Sequence, residues 1–284
     1  MKLSKKSAAL IAAAAMLLCL TACGSFETKV AKAVRAMSRV DNMHMDMSMD
    51  IALGVKVLGK TIGTDVTMAG SMDVQTDPLT AKTEVTVAAA GIDKSVLTYV
   101  EKTDAGYDVY VSDDDGDDWD KETVTESGAP TQINIVDGLQ LFVDCAASFE
   151  EAGEERVMGA EAVRYDGVIT GSEVKKVMEL TGAGDMLSRN LGVTLSDEDF
   201  SNLGDIPASV WIDKETGMLV RYDMDMTSVV RSVLPELVGG LTNSLALKNL
   251  SSNLEVSSAS FSAVLSRFNQ VGEVTIPDAV RAAD

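Results

Sequence analysis

The chain has few of the residues that build catalytic centres or covalent staples. Its 284 residues include three cysteines, one histidine, five prolines and two tryptophans. With His44 as the single histidine, a histidine-based triad and a two-histidine metal site are both excluded within one chain. Neither a glycine-rich phosphate loop nor a nucleophile elbow occurs. Cys19 lies in an N-terminal apolar stretch and Cys23 directly behind it, so Cys145 stands alone in the body of the chain. An intrachain disulfide is therefore not expected, and the fold must rest on a packed core. Cys145 follows Leu139, Leu141, Phe142 and Val143 in an apolar helical pattern, which marks it as a buried structural thiol. Positive charge is also scarce: 24 Lys and Arg stand against 44 Asp and Glu, a net charge of −20. The long-range field of such a chain repels nucleic acid and anionic lipid surfaces alike.

What is present begins at the N-terminus. Lys2, Lys5 and Lys6 form a positive segment, and Ala8 to Leu20 an apolar one. That apolar run is shorter than the roughly 20 residues a mature spanning helix requires, so residues 1–22 are expected to be an export signal that is removed. Leu20-Thr21-Ala22-Cys23, followed by Gly24 and Ser25, resembles the bacterial lipobox. The resemblance implies that Cys23 receives a diacylglycerol and becomes the mature N-terminus. Residues 23–26 would then be a short tether. Acyl methylenes stabilise membrane attachment by about 0.8 kcal/mol each, so the expected location is the outer face of the cytoplasmic membrane. The alternative is an ordinary secretory signal with a chance cysteine.

From Glu27 to Arg39, Val30, Ala33, Val34 and Met37 recur at helical spacing. The period then changes. Met43, Met45, Met47, Met49, Ile51, Leu53, Val55 and Val57 alternate with His44, Asp46, Ser48, Asp50 and Lys56, as in a long half-buried strand. A turn is expected at residues 58–63. Further strands are expected around Val66–Val74, Thr83–Ala89, Ser95–Glu101, Tyr107–Ser112 and Trp119–Val124, the last two flanking the acidic turn Asp113–Asp118. Short connections of this kind make an antiparallel meander. Next come a helix near 134–147, strand over Arg156–Thr170 with a turn or bulge at Gly159, and a helix over Glu173–Leu180. Ser196 is placed to cap a short helix over Asp197–Asn202. The spacing then predicts a hairpin of Pro207–Ile212 and Met218–Met226, an apolar helix over Ser228–Leu247 and a strand over Leu254–Phe268. Residues 27–284 read as one domain.

Val210-Trp211-Ile212-Asp213-Lys214-Glu215-Thr216-Gly217 and the closing Phe268-Asn269-Gln270-Val271 … Ile276-Pro277-Asp278-Ala279-Val280 resemble the LolA/LppX-like superfamily of envelope proteins, particularly its Gram-positive lipoproteins. The resemblance implies an α+β fold: a strongly curved antiparallel sheet, or half-barrel, whose concave face is covered by helices. Some members hold lipids or acyl chains in the cavity between, and the family offers no catalytic residues. The acidic turn and the apolar segment 228–247 depart from that pattern.

Of the 15 methionines, Met43, Met45, Met47 and Met49 share one face, with Met68 and Met72 expected beside them and Met224 and Met226 on a later strand. Valine and isoleucine fit strands better, and flexible thioethers suit surfaces that meet variable apolar partners. A plain core is the competing explanation. Met43, Met45, Met47, Met49, Ile51, Met68, Met72, Tyr222, Met224 and Met226 are accordingly the expected lining of an apolar ligand site. No cofactor, metal site or enzymatic activity is expected. The turn at 113–118 is acidic, but with Gly116 at the sixth loop position the first calcium ligand of an EF-hand would be Val111. The competing function is a structural or protein-interaction lipoprotein with a filled core.

Overall fold

The computed structural model describes residues 25–57, 60–89, 91–124, 141–181, 196–240 and 254–283. The expected export signal and Cys23 lie outside them, as do residues 134–140 and 241–247 of the expected helices. Helix α1 (Phe26–Met37) leads into six strands, β1 (Asn42–Val57), β2 (Lys60–Thr76), β3 (Leu79–Ala89), β4 (Ile92–Thr103), β5 (Gly106–Ser112) and β6 (Asp120–Val124). A 3-10 turn (Ala146–Ser148) precedes β7 (Glu150–Val157) and β8 (Ala160–Thr170). Then follow α2 (Gly171–Thr181), α3 (Asp197–Asn202), β9 (Asp205–Asp213), β10 (Leu219–Asp225), α4 (Thr227–Gly240), β11 (Leu254–Ser266) and α5 (Asp278–Arg281).

All strands join one open antiparallel sheet in the order β6-β5-β4-β3-β2-β1-β11-β10-β9-β8-β7. Two meanders, β1 to β6 and β7 to β10, are thus joined by β11, which pairs with β1 on one side and β10 on the other. The sheet curves as a half-barrel with helices on its inner face, as the resemblance implies. Its edges are β6 and β7. Most of β7 is exposed and carries Glu150, Glu151, Glu154 and Glu155, the kind of charge that keeps an open edge from pairing with another chain.

The core lies on the inner face at the end where β1 begins. There Phe26, Val30, Ala33 and Met37 of α1 pack on Met43, Met45, Met72, Val74, Ala81 and Val100. Each valine, methionine and phenylalanine among them contributes about 1.5–3 kcal/mol by leaving water. A smaller cluster sits on the outer face, where Ile276 and Val280 of the closing segment cover Tyr110. Arg281 pairs with Glu101 at 2.7 Å, and the Tyr110 hydroxyl donates to the same carboxylate at 3.0 Å.

Two expectations are corrected. The strand before Val66 starts at Lys60 rather than after a turn reaching residue 63, because β2 pairs with β1 along its whole length, from Val57 opposite Lys60 to Asn42 opposite Gln75. Strand β7 begins at Glu150, well before Arg156. An edge strand with little buried surface has no alternation to reveal it. Gly159 does stand at a turn, with φ of 90° beside Met158 at 49°. Ser196 caps α3 as expected, its hydroxyl accepting from the Asp199 N–H while Asp199 accepts from the Ser196 N–H.

Candidate ligand-binding face

Because side chains alternate across a strand, pairing register alone places one continuous row across the inner face. It runs Tyr165, Val210, Tyr222, Ala263, Met47, Gly70, Val85, Val96 over β8, β9, β10, β11, β1, β2, β3 and β4. The next row outward is Gly167, Ala208, Met224, Phe261, Met49, Met68, Val87. Ile51 follows beyond, opposite Val66 and Ala259. The register therefore brings Met47, Met49, Ile51, Met68, Tyr222 and Met224 onto one patch.

The methionine stripe divides in two. Met43, Met45 and Met72 are fully buried in the closed core, with Met43 only 2% exposed. Met47, Met49, Ile51, Met68, Tyr222 and Met224 are half-buried. Met226 lies just past β10, where its N–H donates to the Ala259 carbonyl and its own carbonyl accepts from Val230 at the start of α4. The apolar face thus continues beyond the part that α1 seals.

An aromatic series runs along this boundary. Phe26 stacks on Phe149 at 4.7 Å and meets Tyr165 at 4.9 Å. Phe149 meets Phe142 at 6.1 Å, Phe142 meets Tyr222 at 5.7 Å, and Tyr222 meets Phe261 at 5.8 Å. Room for the series depends on Gly167, where a Cβ would come within 2.5 Å of the Phe149 ring. Phe26, Phe142 and Phe149 lie outside the strands, so strand alternation does not reveal these contacts. Tyr165 and Tyr222 are its hydroxyl-bearing members, and burial pushes the Tyr222 phenol up to about 12. Gly70 has a comparable role beside Met47: a Cβ there would lie 3.1 Å from both Glu84 O and Val85 Cγ2, and 3.7 Å from Met47 Cε.

The opposite face is polar. Trp211, 2% exposed, has the Arg164 and Arg221 guanidinium groups over its ring at 5.2 and 4.6 Å, and its indole N–H donates to Glu155. Arg164 pairs with Asp166 at 2.7 Å, Arg221 with Asp223 at 2.6 Å, and Ser209 and Ser262 donate to those two carboxylates. An open depression of about 610 Å³ lies here, bordered by Ser48, Asp50, Asp223, Asp225, Ser260 and Ser262 among others. Its lining is mixed, with Ala208, Met224, Ala259 and Phe261 beside the serines and aspartates. In the neighbouring hairpin, Asp213 Oδ1 accepts from the N–H groups of Glu215 and Thr216 and from the Thr216 hydroxyl, which explains the Asp-Lys-Glu-Thr-Gly segment as turn chemistry.

The remaining candidate groups are absorbed by structure. In the acidic turn, the Asp118 N–H and the Ser112 hydroxyl both donate to Asp114 and hold its carboxyl below the usual range. Among the described residues no group of three or more His, Cys, Asp or Glu is arranged to hold a metal. His44 is on the outer face, as its register implies, with ring nitrogens 2.6 Å from Asp73 and 3.1 Å from Asp46. Cys145 is buried, and burial pushes its thiol up, away from reactivity. Among the described residues no helix is long and apolar enough to cross a membrane.

The molecule is thus an open half-barrel with an apolar, helix-covered inner face that is partly unsealed. The chain belongs to a family of unknown function, DUF6612, whose model matches residues 25–284. No curated protein matches it. Among solved structures it is similar to the lipoprotein LppX of Mycobacterium tuberculosis, at 17% identity and a TM-score of 0.45 over 89% of this chain and 98% of that one. It is similar also to LprF of Mycobacterium bovis, at 14% identity and a TM-score of 0.46 with the same coverage of both chains. A putative outer membrane lipoprotein-sorting protein domain from Vibrio parahaemolyticus matches at 10% identity and a TM-score of 0.24, over 88% of this chain and 95% of that one. At these identities the likeness is one of chain path.

Proposed function

We propose that this chain is an extracytoplasmic lipoprotein, anchored by acyl chains on Cys23, that holds an apolar ligand such as a lipid or acyl chain between sheet and helices. In this reading residues 1–22 are the export signal, 23–26 the tether and 27–284 a single binding domain without enzymatic activity. The observation that carries the reading is the inner-face stripe itself. It is sealed at Met43, Met45 and Met72 and half-buried from Met47 and Met68 onward. Binding is by desolvation, at roughly 25 cal/mol per Å² of apolar surface removed from water, and methionine side chains adapt the lining to acyl chains of different shape. The Tyr222 hydroxyl offers one donor in that lining for a carbonyl or carboxyl oxygen.

The test is native mass spectrometry of the purified mature protein, with organic extraction of whatever co-purifies. A stoichiometric lipid or fatty acid is expected. A bare mass, with no uptake when phospholipids are offered, would reject the ligand. Labelled palmitate incorporation lost in Cys23→Ser checks the anchor separately. A structural or protein-interaction lipoprotein is the second reading, favoured by the polar outer depression bordered by Ser48, Asp50 and Asp223. Neither reading involves nucleic acid.

A further inference from the structure

The inner face of the sheet carries its sulfur as thioethers, and the fold sorts them by access. Met43, Met45 and Met72 are sealed at 2%, 8% and 6% exposure, whereas Met47, Met49 and Met68 of the same two strands and Met224 of β10 are half-buried. Three of these four fall in one row: Met68 is opposite Met49, Met49 opposite Phe261, and Phe261 opposite Met224. With neighbouring strands about 4.8 Å apart, the row crosses about 14 Å of the sheet. Met47 stands one row inward, opposite Gly70. Sealed and unsealed methionines therefore sit two residues apart on one strand, alike in chemistry and different in access.

Among the described residues a thioether is the one oxidisable sulfur that meets solvent. Cys145 is buried, and burial raises its thiol, which keeps it from the reactive thiolate form. A thioether needs no deprotonation. Its sulfur lone pair attacks one oxygen of a hydroperoxide, the O–O bond breaks, and the departing oxygen takes the remaining proton. The sulfur is oxidised by two electrons to the sulfoxide, and hydrogen peroxide is reduced to water. The product is polar where the parent was apolar. Side-chain donors are scarce on the two rows: among the described residues they are the Tyr165 and Tyr222 hydroxyls and, opposite Val87 at the far end, Lys94, which Asp113 already engages. A sulfoxide oxygen covered by an apolar ligand therefore loses its water without gaining a partner.

We propose that Met47, Met49, Met68 and Met224 form a sulfoxidation site for hydroperoxides, and that their oxidation empties the apolar patch. The proposal rests on the reading of an apolar ligand at this face and gives that site an oxidant-driven release. Valine or isoleucine would suit these strand positions at least as well. What the thioether adds is a side chain whose polarity an oxidant can change. Ligand and oxidant also become competitors, because a chain lying along the row covers the same sulfurs. Met158, 74% exposed in the β7–β8 turn, lies outside the patch and serves as the reference.

The experiment treats the mature acylated protein, depleted of bound lipid, with hydrogen peroxide. Sulfoxides are mapped by peptide mass spectrometry with and without bound pyrene-labelled phosphatidylcholine. Oxygen is expected at Met47, Met49, Met68, Met224 and Met158. It is not expected at Met43, Met45 or Met72, whose reduced state also shows that the fold is intact. Bound probe should slow oxidation at the four patch positions and leave Met158 unchanged. Probe affinity should fall at least about fivefold once the patch is oxidised, and the fall should persist in Met158→Leu. Patch sulfurs that stay reduced while Met158 is oxidised overturn the proposal. So do patch sulfoxides with unchanged affinity, or a fall that disappears in Met158→Leu. A protein that takes up no probe before any peroxide rejects the ligand and with it the release, and patch sulfoxides then uphold the modification site alone.

Discussion

Tyr222 of β10 and Phe261 of β11 lie 5.8 Å apart, ring to ring, on the inner face of the sheet, and Phe261 is the register partner of Met49. That relationship joins the aromatic series to the methionine stripe. It marks the line where the sealed core gives way to the half-buried patch.

Met47 stands on that line, over Gly70. Met47→Trp is expected to fill the patch and abolish lipid uptake, at a stability cost of about 1–3 kcal/mol from overpacking. Native mass spectrometry after incubation with phospholipid checks the first effect and urea unfolding the second. A folded variant that loads lipid normally would remove Met47 from the site.

Tyr222→Phe deletes a hydroxyl whose environment is apolar enough to raise its pKa to about 12. A polar group desolvated without a strong partner destabilises a fold, so the variant is expected to unfold at the same temperature as the parent or higher. A ligand bearing a carbonyl or carboxyl oxygen should be retained less well. A clear drop in melting temperature would show that the hydroxyl has a structural partner instead.

Asp213→Ala leaves the N–H groups of Glu215 and Thr216 without their acceptor in the β9–β10 turn. A loss of about 1–3 kcal/mol is expected, read as a lower urea midpoint with unchanged slope. Asp213→Asn, which keeps an acceptor oxygen, should recover much of it.

Asp225 precedes α4, and the Thr227 hydroxyl and backbone N–H hold its carboxyl below the ordinary value of 3.8. A folded-state pKa below the unfolded one gives stability that is present above the unfolded value and lost as pH falls through the folded one. Asp225→Asn should therefore be less stable than the parent at pH 7, by less than about 1 kcal/mol for so exposed a group. The gap should close on acidification below the carboxylate range. Urea midpoints at pH 7 and pH 3 measure both. A gap that widens in acid would contradict the assignment.

Much of the sheet was legible in local pattern. The alternation from Met43 to Val57 located β1, and Ser196 announced α3. Period and capping are properties of a few neighbouring residues, so the chain itself displays them. The first part of β7, before Arg156, was missed because an exposed, glutamate-rich edge has no buried face to impose a period. The candidate site was legible only as a set of inward positions, since alternation tells which face a methionine takes but not how deeply that face is covered.

By itself, then, the sequence determined the antiparallel strands, their inward and outward faces, the isolation of Cys145 and the poverty of catalytic chemistry. The tertiary structure alone decided that β11 closes the sheet between β1 and β10 and that Met43 and Met45 are sealed while Met47 and Met49 are not. The reason is physical: alternation is set within a strand by backbone geometry, whereas burial and exposure depend on which distant segments, α1 and the Phe142 and Phe149 region above all, pack over each stretch.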